Sequence, residues 1–265
     1  MRTADMKPAD LLSPGGANDY FTRRPLSPFE PNASAFSQAN ALWLMELSRI
    51  VYRRDVEEGV NLVPPRSSFL HNAGLEQLAF FDGKDDTADT QAMLVRSIAG
   101  PQWAALVFRG TEDSVGDIVT DLRLSLPLLG QGPIVHEGFE HALDLVWKDI
   151  ASALANISVP LFYTGHSLGA ALATLAASRH TPRAVYTFGS PLVGNRAFTN
   201  TLKNVPIFRV VDDVDEVTMV PPPFLGYLHA GAEHKLAELP EPSTLSLRIK
   251  KRAYDHAPVN YIDRM

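Results

Sequence analysis

The sequence contains no cysteine. This excludes a disulfide framework, a zinc–thiolate site and a cysteine nucleophile, and it argues against an oxidising compartment. No apolar run approaches the ~18 residues needed to cross a bilayer, so no transmembrane segment is expected. The first twenty residues, MRTADMKPADLLSPGGANDY, have no apolar core of the kind a signal peptide carries. The predicted location is therefore cytoplasmic, or exported by a route without a cleavable signal. A basic stripe is also missing. With 24 basic and 30 acidic residues the net charge is −6, which argues against nucleic acid as a partner.

What is present fits a large globular chain. Of 265 residues, 45% are hydrophobic and 20% charged. A single α/β domain of this length buries roughly three quarters of its unfolded surface, enough for a deep pocket. Prolines 8, 14, 25, 28 and 31, with Gly15 and Gly16, interrupt any regular pattern near the start. Residues 1–35 therefore read as an N-terminal arm, disordered or wrapped around a domain spanning residues 36–265.

Within that domain, AFSQANALWLMELSRIVYRRD carries apolar residues at helical spacing. The runs EQLAFFD, TQAMLVRSIAG and QWAALVFRG read as strands, the last buried on both faces. Residues 116–133 read as irregular. A helix is predicted over EGFEHALDLVWKDIASAL, whose Phe139, Leu143, Val146, Trp147, Ile150 and Leu154 share one face. Strand VPLFYT, helix SLGAALATLAASRH, and strands RAVYTFG and VPIFRVV follow, with a last short strand at LSLRIK. Strands alternating with helices predict a mostly parallel sheet covered on both faces.

The chemistry centres on TGHSLGA, residues 164–170. A serine on a sharp turn between an apolar strand and a helix needs small neighbours, and Gly165, Gly169 and Ala170 supply them. The helix start would aim N–H groups at an oxyanion developing beside Ser167. The segment is not a phosphate loop, because no Gly-Lys-Ser/Thr occurs. A serine nucleophile requires a base and a carboxylate, which follow it in the order acid then histidine in such folds. Asp212, Asp213, Asp215 and Glu216 are the candidate acids, and His229, His234 and His256 the candidate bases. The residues alone leave this choice open. The run DDVDE lacks the spacing and central glycine of a calcium loop, so no metal is expected.

Several motifs, in order, resemble the class 3 lipases, an α/β-hydrolase group that includes filamentous-fungal triacylglycerol lipases and feruloyl esterases. They are VFRGT at 107–111, VHEGF at 135–139, GHSLGAALA at 165–173, TFGSPLVGN at 187–195, RVVDDVDEVTMVPP at 209–222 and YDHAPVNY at 254–261. The resemblance runs from about Phe36 to the end. It implies an α/β-hydrolase fold and hydrolysis of acylglycerols or related esters through an acyl-enzyme. Ser167 would be the nucleophile, Asp215 the acid and His256 the base. Thr111 and the backbone N–H of Leu168 would form the oxyanion hole, with no cofactor. Phospholipase A1 or feruloyl-type activity, and an inactive scaffold used for binding, are the alternatives. Partners would be the ester or lipid substrate, with transient contact at a lipid interface.

The chain departs from the pattern in places. Three residues, Thr218 to Val220, separate Asp215-Glu216-Val217 from the proline pair, which leaves Asp212 or Asp213 as alternative acids. The lid-like segment EDSVGDIVTDL lacks tryptophan. Asp117 and Asp121 there are read either as supports of the oxyanion loop or as solvated helix charges. His136, His166 and His229 are read as structural. The apolar loops LSLPLLG and VPPPFLGYL are expected to flank the cleft.

Overall fold

The computed structural model describes residues 14–57, 60–61, 63–111, 115–126, 130–212, 215–237 and 255–265. Alternating strands and helices form a seven-stranded sheet of order β3-β4-β5-β6-β7-β8-β9. The strands are β3 (Leu75–Lys84), β4 (Asp89–Ser97), β5 (Ala104–Phe108), β6 (Leu161–His166), β7 (Ala184–Phe188), β8 (Ile207–Val211) and β9 (Ala232–Lys235). The first three are antiparallel, and every pairing from β5 to β9 is parallel. A two-residue hairpin, β1 (Val56–Glu57) and β2 (Val60–Asn61), stands apart. This is the expected α/β-hydrolase architecture.

Side-chain alternation along the strands divides the core in two. Ala104, Leu106, Phe108, Tyr163 and Val185 face one apolar cluster, shared with α4 (Glu137–Leu154) and α5 (Leu168–Arg179). Ala105, Val107, Phe162, Tyr186 and Phe188 face the other, shared with α1 (Gln38–Ile50) and α7 (Pro258–Arg264). Strands β5, β6 and β7 are buried throughout, as apolar strands covered on both faces must be. The short helices α2 (Arg66–Asn72) and α6 (Arg196–Thr201) complete the helical layers.

Three elements differ from the sequence pattern. The segment read as irregular contains helix α3 (Val115–Arg123), which buries Ile118, Val119 and Leu122 in the first cluster. Its four apolar residues, Val115, Ile118, Val119 and Leu122, do follow helical spacing, but the stretch is only nine residues long and runs straight into the apolar loop LSLPLLG, which hides the pattern. The last strand is β9, whose residues are mostly exposed and so carry no apolar signature. LSLRIK lies outside the described residues. The C-terminal stretch forms α7, with Pro258 at its first position, where a missing N–H costs nothing.

Residues 14–35 lie against the second cluster. Tyr20 and Phe29 are buried, and Phe29 stacks on Trp103 at 3.9 Å and meets Phe162 edge-on at 5.0 Å. The indole of Trp43 donates to Ser27 O, and Arg53 donates to Gly15 O and Ala17 O. Replacing Phe29 by alanine is expected to cost about 3 kcal/mol through lost burial and a residual cavity. Chemical denaturation of the two proteins measures this directly.

Candidate active site

The serine turn is built by close packing. β6 ends at His166 and α5 starts at Leu168, leaving Ser167 alone to reverse the chain. Ser167 has φ +58° and ψ −127°, a conformation that costs roughly 1–3 kcal/mol for a residue with a side chain. The surroundings hold it there. A Cβ on Gly165 would lie 2.3 Å from the Gly169 backbone, and one on Gly169 would lie 2.3 Å from Phe108 O. Only glycines permit strand, helix and neighbouring strand to approach so closely. Ser167 N donates to Phe188 O at 3.0 Å, which pins the turn to the end of β7.

Two of the candidates meet beneath it. His256 Nδ1 donates to Asp215 Oδ2 at 2.8 Å. Asp215 is completely enclosed, and its carboxylate also accepts from Val217 N at 3.0 Å and from the Tyr261 hydroxyl at 2.8 Å. Burial alone would raise the Asp215 carboxyl. The His256 ring beside it, together with the bonds from His256 and Tyr261, outweighs this and holds it below its usual range. With Nδ1 donating, the lone pair of His256 sits on Nε2. His256 Nε2 and Ser167 Oγ are both sealed from solvent, and neither has a hydrogen-bond partner among the described residues.

The other candidates separate cleanly. Asp212 pairs with Arg264 and accepts from Asn260 Nδ2, so it is not the partner of His256. Asp213 lies outside the described residues. The extra residues after Asp215 form a 3-10 turn, Glu216–Met219, which Asp215 itself caps, so the longer loop leaves Asp215 in contact with His256. His229 donates to Thr218 O at 2.8 Å, and His234 stacks on Phe36. His166 donates from Nε2 to His256 O at 2.6 Å and accepts from the Tyr52 hydroxyl at 3.3 Å. It therefore supports the backbone of His256 from behind the serine. His136 precedes α4 and bonds to Ser125 Oγ. Asp117 and Asp121 are exposed on α3.

Thr111 and Leu168 line the same two cavities. A cavity of about 180 Å³ is bounded by these two with Ile118, Asp121, Leu122, Phe139 and Pro191, so Asp121, though exposed, borders the cavity that Thr111 lines. A second, of about 460 Å³, adds polar groups including Thr87, Arg109 and His136. A Cβ on Gly110 would lie 3.3 Å from Ser167 Cβ, so the chain that leads into Thr111 rests on the serine. Leu168 is the first residue of α5, where backbone N–H groups have no partner within the helix. Helix α3 covers this region and contacts the turn after Asp215.

Three contributors received no role from the sequence, although Gly189 and Tyr261 lie inside the motifs TFGSPLVGN and YDHAPVNY. Tyr261 bonds to Asp215, Tyr52 orients His166, and Gly189 clears space for the pair. The sole signal for Tyr261 was its place in the C-terminal motif. Gly189 has φ +59°, and a Cβ there would lie 2.7 Å from Asp215 Oδ2 and 3.0 Å from His256 Nδ1. Gly189→Ala is expected to shift the pair and lower turnover about 100-fold. Steady-state kinetics checks this, with circular dichroism confirming that the fold is kept.

Acid stability follows from the buried imidazoles. Burial, reinforced by the neighbouring His256 ring, lowers His166 to about 3, and burial with Arg209 lowers His229 to about 4. Both lie below the unfolded value of about 6.5. Unfolding therefore takes up their protons as pH falls below 6.5, and the stability they contribute at neutral pH is lost on the way to 4. At pH 5 these two are expected to contribute close to two protons to the slope, about 3 kcal/mol per pH unit. Denaturation at several pH values measures the slope, and His229→Gln should lower it by about one proton, roughly 1.4 kcal/mol per pH unit.

Known proteins resemble this chain in sequence and fold. The family pattern for lipase (class 3) matches residues 105–225. The secreted mono- and diacylglycerol lipase 1 of Fusarium solani is 32% identical over 177 residues, covering 57% of this chain and 53% of the relative. A lipase of Rhizomucor miehei is 32% identical over 169 residues, covering 57% and 46%. The chain thus spans about half the length of the curated relatives it matches. A solved triacylglycerol lipase whose catalytic centre is a serine protease triad aligns with TM-score 0.64 and 28% identity, over 77% of this chain and 82% of that one. By these motifs, this fold and these relatives, the chain is similar to the class 3 lipases, most directly over residues 105–225.

Proposed function

We propose that the protein hydrolyses carboxylic esters of the acylglycerol class through an acyl-enzyme. The observation that carries this is the strained Ser167 at the start of α5, with the hydrogen-bonded His256–Asp215 pair enclosed beside it. His256 Nε2 takes the proton as Ser167 Oγ attacks the ester carbonyl. Asp215 holds the ring in the required tautomer and stabilises the imidazolium. The N–H groups of Thr111 and Leu168 receive the oxyanion. His256 then protonates the departing alcohol and activates the water that releases the acid. The named lipases among the relatives support the acylglycerol class.

Contact with a lipid surface is part of the same reading. Leu124 and Leu126 just after α3, Met219 on the turn that α3 touches, and Phe224 nearby expose between 68% and 85% of their surface. Tyr227 donates to Leu126 O, which joins these loops into one rim. Large apolar side chains gathered around a covered site suit an apolar interface. Among the described residues no helix is long and apolar enough to cross a membrane. The proposed serine chemistry calls for no metal or cofactor.

The test is hydrolysis of p-nitrophenyl esters from acetyl to palmitoyl by wild type and Ser167→Ala. A fall of on the order of 10⁶ in kcat is expected for the variant. Equal rates in the two proteins would overturn the assignment.

A further inference from the structure

The pair that would activate Ser167 hangs from a short helix at the end of the chain. Asp215 receives one of its three hydrogen bonds from Tyr261, and Asp212 N donates to the same hydroxyl. Tyr261 lies in α7, five residues after His256. Both lie beyond residues 105–225, the part matched by the family pattern.

Helix α7 is held from two sides. Residues two apart on a helix point about 200° apart. Tyr261 accordingly faces Asp215, and Asp263 faces the N-terminal arm. There Arg23 grips the Asp263 carboxylate with both prongs, Nε to Oδ1 at 2.6 Å and Nη2 to Oδ2 at 2.7 Å. Both side chains are only 13% exposed, so the pair is far better shielded than an ordinary surface bridge. Arg23 is itself anchored. Its Nη1 meets Asp19 at 2.9 Å, and Asp19 meets the buried Arg49 of α1 at 2.9 Å. An ionic chain thus runs from a core helix, through the arm, to α7.

Apolar packing does not by itself give this register. Tyr261 and Ile262 sit in the second cluster against α1, which sets the depth of α7. Such contacts are non-directional. On the sheet side, Asn260, Tyr261 and Arg264 of α7 bond to Asp212; on the arm side, rotation and slide are restrained by Arg23 to Asp263, Arg24 to Ile262 O at 3.1 Å, and Gln38 to Met265 O at 2.6 Å. Of the arm-side bonds, the Arg23 fork is the one that fixes an angle as well as a distance.

We infer that Arg23 is a positioning residue for ester hydrolysis: by clamping Asp263 it holds Tyr261, and through it Asp215 and His256, in register with Ser167. The inference rests on the proposed esterase reading. The arm is then a working part of the site, although none of it touches the reacting atoms.

The experiment compares wild type, Arg23→Ala, Arg23→Lys and Asp263→Asn on p-nitrophenyl butyrate, at a temperature where all are folded by circular dichroism. In parallel, the downfield proton resonance of His256 Nδ1–H is recorded in each and in Ser167→Ala. Arg23→Ala and Asp263→Asn are expected to lower kcat about 10- to 100-fold with KM within about twofold, since misplacing a catalytic group by about 1 Å has that effect. Arg23→Lys should recover part of the loss. The proton signal should broaden in Arg23→Ala and stay sharp in Ser167→Ala. Unchanged kcat in Arg23→Ala, or equal losses in kcat and in folded fraction, overturns the inference. If wild type hydrolyses no ester, the esterase reading falls, and the proton signal decides the clamp: an unchanged signal in Arg23→Ala overturns it.

Discussion

A carboxylate cut off from water is the constraint on which the site depends. Asp215 is enclosed, and an enclosed charge survives only with donors on its oxygens. Its three donors come from separate parts of the chain: Val217 N from the following turn, His256 from the segment before α7, and Tyr261 from α7. Meeting this demand brings the end of the sheet and the end of the chain together. Once they meet, His256 has its tautomer set and its Nε2 lone pair left for the serine. The stability of the charge and the competence of the base are the same set of contacts.

The serine turn answers a second constraint, steric rather than electrostatic. Ser167 keeps an unfavourable backbone because β5, β6 and α5 pack too closely for the chain to relax. Gly165 and Gly169 create that closeness by what they lack. Gly189 plays the corresponding part for the acid and base, leaving room where any side chain would strike Asp215 and His256. Small residues are therefore placed where the functional groups must converge, and the two large clusters on either side of the sheet supply the rigidity.

The buried histidines divide their labour by environment. His166 and His229 are kept neutral by burial and spend their hydrogen bonds on the carbonyls of His256 and Thr218. They stiffen the two loops that carry the base and the acid. His256 faces a carboxylate instead and is the one whose second nitrogen remains open. Three imidazoles of identical chemistry thus take different roles.

Much of this was determined by the sequence alone. The apolar runs specify β5, β6, β7 and β8 because strands covered on both faces are mostly apolar, and the 3.6-residue spacing specifies α1 and α4. The glycine–serine turn is legible because its sterics allow only small residues. The tertiary structure decided what depends on distant segments meeting. It selected Asp215 over Asp212 through the competing bonds of Arg264 and Asn260, and it brought Tyr261 and Gly189 to the acid. It made a helix of 115–123, whose apolar face gains its stability from packing on the core. It also seated residues 14–35 on the second cluster, because proline-broken chain has no periodicity to announce where Phe29 and Arg23 will dock.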